Sequence, residues 1–179
     1  MSASLRRRQG VLPLVPDVIA QALSIFAVDF EPQHDHPRAR RVVLATMVAV
    51  VGSLLANTIL VGVGTTIFPA TKGFAHFRVS DYGTLTAIGV VLACMSWPIV
   101  TRISSVPEWL FLRMAVVVML VLWLPDLWIL LHGEPPAAVL VLMLMHVAIA
   151  LITYPALVKL APVRPRPEPA VGSSLPLWI

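Results

Sequence analysis

Four long apolar runs constrain the fold of this chain more than any other feature. A helix needs about 20 residues to cross the hydrocarbon core of a bilayer, and each run approaches or exceeds that length. Charged residues make up only 12% of the chain and its mean hydropathy is +0.88, whereas soluble domains carry about twice that charged share. The sequence therefore predicts an all-α membrane protein, an antiparallel bundle of four transmembrane helices over residues 42–159. The predicted helices are Val42–Phe68, Thr84–Thr101, Trp109–Leu131 and Ala137–Val158.

Lysine and arginine are distributed unevenly between the two sides of this bundle. If the amino terminus is cytoplasmic, eleven basic residues lie inside, and only Lys72 and Arg78 lie outside, in an aromatic loop over Pro69–Gly83 that suits headgroup depth. Because cytoplasmic loops carry the excess of Lys and Arg, the sequence predicts a multi-pass plasma-membrane protein with both termini in the cytoplasm. The net charge of +4 thus reports topology, and the expected partner is the lipid bilayer rather than nucleic acid. The inside residues are Arg6, Arg7, Arg8, Arg38, Arg40, Arg41, Arg102, Arg113, Lys159, Arg164 and Arg166.

The segments on either side of the bundle are predicted to be cytoplasmic. Within residues 1–41, the stretch 16–28 places polar and apolar residues on opposite faces, which predicts an interfacial helix on the inner leaflet; a disordered tail is the alternative interpretation. His34 and His36 are flanked by prolines and lack further ligands nearby, which is typical of a solvated linker rather than a metal site. Residues 160–179 are rich in proline and predict a disordered tail.

Small residues recur every four positions along the first predicted helix. Ala45, Ala49 and Ser53 continue to Asn57 on the same face. Lipid tails provide no hydrophobic drive for helix association, so small side chains that permit close backbone approach mark a packing face. The sequence therefore predicts helix packing at Ala45, Ala49 and Ser53, with Asn57 pointing inward to form an interhelical hydrogen bond.

Two ionisable residues lie inside the predicted spans, close to the hairpin that joins helices three and four. At a rise of about 1.5 Å per residue, Asp126 lies about 7–8 Å below the outer boundary and His146 about 13–14 Å below it, with Asn57 at about 9–11 Å. We therefore predict an intramembrane polar cluster of Asn57, Asp126 and His146, a combination that can relay protons. Two alternatives stay open: Pro125 ends helix three and leaves Asp126 at the interface, or His146 is a hydrogen-bonded packing residue.

The sequence contains no motif that indicates catalysis. It has no nucleophile motif, glycine-rich phosphate loop, paired catalytic carboxylates or metal-spaced cluster, and its single cysteine, Cys94, excludes an internal disulfide. We therefore expect no enzyme activity, no cofactor and no metal. The first functional hypothesis is a scaffold or accessory subunit that binds another membrane protein. The second is a small proton-linked carrier or channel using the predicted polar cluster, and an enzyme acting on lipids has the least support.

A sequence segment in helix four resembles the corresponding segment of a known protein family. The run Leu142–Ala150, with a histidine preceded by Leu144-Met145, continues to Pro155-Ala156-Leu157. Together with the asparagine in helix one and the basic start, it is similar to a family of uncharacterised actinobacterial four-helix membrane proteins. The resemblance covers Arg40 to Lys159 and implies the same four-helix fold. The family brings no established activity, and the long amino-terminal segment departs from its usual short start.

Overall fold

Four long helices make up almost all of the described chain. The computed structural model describes residues 34–35 and 37–165, and its long helices are α1 (Ala39–Ile67), α2 (Val79–Ile103), α3 (Pro107–Leu131) and α4 (Pro136–Leu160). Each is long and apolar enough to cross a membrane. The predicted all-α bundle of four membrane helices is therefore confirmed. The predicted interfacial helix over 16–28 lies outside the described residues, as does the tail from residue 166 onward.

Prolines begin two of these helices and lie inside three of them. Pro107 and Pro136 occupy the first turns of α3 and α4, where a missing N–H costs nothing. Pro125, one of the internal prolines, does not end α3, which continues to Leu131. A broken helix would expose backbone polar groups to hydrocarbon, so continuing the helix is the less costly solution. The predicted helix over Trp109–Leu131 therefore continues through Pro125, and the alternative in which Pro125 ends helix three is wrong.

The connection between α1 and α2 is shorter than the sequence suggests. Two short 3-10 turns, Pro69–Thr71 and Ala75–Phe77, follow α1, and α2 then begins at Val79, five residues before the expected start at Thr84. Tyr82 therefore belongs to α2 and is buried against α4 rather than lying among headgroups. Gly73 adopts a φ of 87° between the two turns, a conformation that glycine reaches without a steric penalty.

Helix α4 is the centre of the bundle. It contacts each of the other helices and packs most extensively against α1, whereas α3 contacts mainly α4. One apolar cluster, around Trp97 and Leu157, joins all four helices at the end where α1 begins, and a second, around Tyr82 and Met145, lies towards the other end. Only 6% of the most apolar stretch of α3 is buried, against 22–33% in the other helices. Helix α3 is therefore the peripheral member.

Small residues of α1 are buried inside the bundle, whose most extensive helix contact is the seam between α1 and α4. Ala45, Ala49 and Ser53 are completely buried. Further along α1, a Cβ built on Gly64 would lie 2.7 Å from the Cγ2 atom of Val141 on α4. Backbones in this seam therefore approach closely enough to exclude a methyl group at Gly64.

We expect Gly64→Ala to destabilise the protein and Gly62→Ala to leave it unchanged or slightly more stable. Both glycines lie in α1, but a Cβ at Gly62 meets nothing within 4 Å, whereas one at Gly64 meets the stiff side chain of Val141. Overpacking of this kind costs about 1–3 kcal/mol. Unfolding in mixed micelles measures both changes, and equal effects of the two substitutions would contradict this description of the seam.

The two ends of the described chain pair with each other. The strands β1 (His34–Asp35) and β2 (Arg164–Pro165) are antiparallel, with His34 opposite Pro165 and Asp35 opposite Arg164. The sequence placed these residues in a solvated linker and a disordered tail, so for these four positions the expectation is corrected. The start of α1 and the end of α4 lie side by side, which brings the flanking backbones within hydrogen-bonding reach.

Candidate functional site: a buried aspartate–histidine pair

The candidate site is a contact between two ionisable side chains on α3 and α4. Asp126 Oδ2 lies 3.1 Å from His146 Nδ1. The side chain of Asp126 is 7% exposed and that of His146 is 24% exposed. Because α3 continues to Leu131, Asp126 lies inside a helix, where it is buried. Ionisable groups inside membrane helices are rare and usually mark functional positions.

The two side chains are close but poorly aligned. They lie within ion-pair distance, yet the geometry between Oδ2 and Nδ1 is not that of a hydrogen bond, and neither atom has another hydrogen-bond partner among the described residues. A buried polar group without a partner is costly, about 1–3 kcal/mol or more when it is charged. Each side chain is the other's one ion-pair partner in the described part of the chain.

Asn57 forms a different interaction from the one expected. Its Nδ2 donates to Thr86 Oγ1 on α2 at 2.9 Å, and next to it the hydroxyls of Thr58 and Tyr82 lie 3.0 Å apart. Asn57 thus makes the predicted interhelical hydrogen bond, but to α2 and not to Asp126 or His146. The predicted three-residue cluster is in fact a pair on α3 and α4 plus a separate polar bridge between α1 and α2.

Thr86 and Tyr82 are the site residues that sequence reasoning missed. They lie four residues apart on α2 and so share one face. That spacing was a usable signal, but it was hidden because Tyr82 was assigned to the outer loop. Once α2 is extended to Val79, the two hydroxyls form a polar stripe that faces α1.

Other buried polar atoms lie on α1 and α4. Ser53 Oγ, Thr153 Oγ1 and Asn57 Oδ1 are buried and have no hydrogen-bond partner among the described residues. Most other hydroxyls in these helices donate to a carbonyl of their own helix, as Thr46 does to the carbonyl of Val42 at 2.8 Å. In the described part of the chain, no group of three or more His, Cys, Asp or Glu side chains could hold a metal ion. The contact between Asp126 and His146 brings together a carboxylate and an imidazole, two groups that can exchange a proton.

A double-mutant cycle on Asn57 and Thr86 measures the polar bridge between α1 and α2. Asn57→Leu, Thr86→Val and their combination should give a coupling free energy of about 0.6 kcal/mol and at most about 1.7 kcal/mol, the range found for hydrogen bonds between membrane helices. The same cycle between Asn57→Leu and His146→Leu should give no coupling. A larger coupling to His146 than to Thr86 would restore the three-residue cluster.

Comparison with known proteins places this arrangement in a family. The pattern of the group described as "Family of unknown function (DUF6069)" matches residues 34–162, which span all four helices. The chain belongs to this family. The predicted resemblance to an uncharacterised family of membrane proteins is confirmed at that level, and Asn57, Thr86, Asp126 and His146 all lie within the matched part of this DUF6069 member. No curated protein and no solved structure gives a significant match.

Proposed function

We propose that this DUF6069 member is a small proton-linked carrier or channel in which Asp126 and His146 handle the proton. The observation that carries the proposal is the 3.1 Å approach of a buried carboxylate and an imidazole inside the span, without other partners among the described residues. A carboxylate next to a histidine is a recurrent element of proton relays in membrane proteins. Asn57 is not part of the pair; its hydrogen bond to Thr86 links α1 to α2.

The two members of the pair have different roles in this proposal. His146 is the more exposed side chain, and in this proposal it takes up the proton, which Asp126 then accepts from Nδ1. Helix α3 contributes few buried side chains, and beyond the ion pair its polar link to α4 is a 3.4 Å contact from Trp123 Nε1 to the carbonyl of Met143. Because few of its side chains are buried, α3 can shift relative to α4 when the charge of the pair changes. Such a shift would couple protonation to conformation.

Proton flux in proteoliposomes tests the proposal. An imposed pH gradient should be dissipated faster by wild-type protein than by empty vesicles, and His146→Leu and Asp126→Asn should both remove that difference. His132→Leu is the matched control, because His132 is exposed in the outer turn, with Nδ1 2.8 Å from the carbonyl of Trp128 and its ring packed against that indole. Flux that is equal in wild type and His146→Leu, with both proteins folded, would contradict the proposal.

We also infer that the protein lies in the plasma membrane with both termini in the cytoplasm. The support is the concentration of Lys and Arg at the end where α1 begins and α4 ends. The further assignment of the family to actinobacteria rests on the resemblance of the run Leu142–Ala150.

Cysteine labelling in intact cells tests the orientation. His76→Cys, in the exposed outer turn, should react with an impermeant maleimide, whereas Val106→Cys, in the exposed turn between α2 and α3, should react only after permeabilisation. Both variants retain the native Cys94, which is buried and should not react with the maleimide, so the wild-type protein serves as the unlabelled control. The reverse pattern would invert the topology.

A second candidate function is that of a non-enzymatic scaffold or accessory subunit. The observation that favours it is the exposed apolar side of α3, which another membrane helix could cover. A photocrosslinker at Val117 on α3, compared with one at the similarly exposed Val51 on α1, distinguishes the two cases. One discrete protein adduct from Val117 alone would favour a subunit, and lipid adducts from both positions would count against it.

A further inference from the structure

One end of the bundle carries its net positive charge. At the end where α1 and α3 begin and α2 and α4 finish, the described side chains include six cations and one carboxylate, Glu108, a formal charge of 6 − 1 = +5. At the opposite end Lys72 and Arg78 balance Asp81 and Glu134. We call the first the basic end. Its cations are Arg38, Arg40, Arg41, Arg102, Arg113 and Lys159.

These cations have no carboxylate partner in the described part of the chain. The one ion pair among the described residues joins Asp126 to His146, far from the basic end. Five of the six side chains are exposed, and the sixth, Arg113, is half-buried with its guanidinium 4.9 Å from the centre of the Trp109 ring. Glu108 lies on the same end but pairs with none of them. The basic end thus presents unneutralised positive charge beside hydrocarbon.

We propose that the basic end binds anionic phospholipid headgroups in preference to zwitterionic ones. Arginine donates two parallel N–H bonds to a phosphate, and four of the five exposed cations are arginines. Trp109 is half exposed on the first turn of α3, the position in which an indole anchors a helix at headgroup depth. Arg113 one turn further on brings its charge to the same level. This proposal is independent of proton-linked function, since it involves neither Asp126 nor His146.

The pairing of the chain ends adds to the basic surface. The strands β1 and β2 hold the backbone before α1 against the backbone after α4. The exposed Arg38, Arg40 and Arg41 lie at the same end of the bundle as Lys159, in the last turn of α4. Several cations acting on one patch of membrane give a preference that rises steeply with their number, about fivefold for each. A surface of this kind selects lipids by charge and not by acyl chain.

Lipid binding to the purified full-length protein in neutral detergent tests the proposal. Native mass spectrometry should show tighter binding of phosphatidylglycerol than of phosphatidylcholine with the same chains. Arg40→Gln/Arg41→Gln should reduce that preference by at least about tenfold, and Lys72→Gln/Arg78→Gln, the same charge change at the opposite end, should not alter it. If the first variant fails to fold, Arg102→Gln/Lys159→Gln takes its place.

Three outcomes would overturn the proposal. They are equal binding of the two lipids by wild type, equal losses in the two double variants, and competition by inorganic phosphate at millimolar concentration, which would indicate a free-anion site instead of a lipid surface. A preference that disappears at high salt in wild type would agree with it, since exposed charges are screened within about 8–10 Å at ordinary ionic strength.

Discussion

His146→Leu should lower the free energy of unfolding by about 1–3 kcal/mol, whereas Asp126→Leu/His146→Leu should lower it much less. Removing one partner of a buried polar pair leaves the other unsatisfied, which costs about 1–3 kcal/mol, but replacing both with apolar residues of similar shape can be nearly neutral. Asp126 is almost fully buried and its Oδ2 has no described partner besides His146, so it meets this condition.

Reversible unfolding in mixed micelles measures this difference, and the exposed His132 supplies the control variant His132→Leu. The diagnostic result is the sign of the non-additivity: the double variant is more stable than His146→Leu alone. If the losses simply add, the two side chains are not coupled, and the contact between α3 and α4 has no energetic role.

Trp97→Ala should be the most destabilising single substitution outside the pair, at about 3–5 kcal/mol. The side chain is completely buried, its Nε1 donates to the carbonyl of Ala161 at 3.0 Å, and its ring meets Phe111 edge to face at 5.3 Å. Lipid offers no hydrophobic drive for burial, but the cavity and the lost packing contacts remain as costs.

The matched control for Trp97 is Trp128, whose side chain is 61% exposed. Trp128→Ala should change the stability by less than about 1 kcal/mol, and Trp97→Phe should lie between the two alanine variants because it keeps the ring contact and loses the hydrogen bond. Similar losses at Trp97 and Trp128 would show that the cluster joining the four helices is not the core of the protein.

The helices were predictable because the membrane imposes their length, and the packing face was readable because small residues recur along α1. Less could be predicted where local signals conflicted. Pro125 left two alternatives open, because proline often ends a helix. In hydrocarbon the cost of a broken helix exceeds the cost of one missing bond, and the predicted helix continues past Asp126. Tyr82 appeared to belong to a loop of aromatic residues, and only the structure shows that its hydroxyl meets Thr58 on α1.

In the candidate site, the contact between Asp126 and His146 was predictable from the sequence, and the partner of Asn57 was not. Counting residues along each helix estimates depth, and depth correctly selected Asp126 and His146 as residues able to meet. Depth does not specify how the helices are arranged around the bundle axis. Asn57 lies at a comparable depth but on a face that α2 covers, so its amide reaches Thr86. Lateral order arises from contacts between helices far apart in sequence, and single-helix patterns do not encode it.

Infrared spectroscopy of the protein in lipid tests the central claim, that Asp126 and His146 exchange a proton inside the membrane, most directly. With ¹³C-labelled aspartate, the band of Asp126 is identified by its loss in Asp126→Asn. We predict that this band changes when a proton gradient is imposed, and that the change disappears in His146→Leu but persists in His132→Leu. A band that does not respond to the gradient, or responds equally in wild type and His146→Leu, would contradict the account.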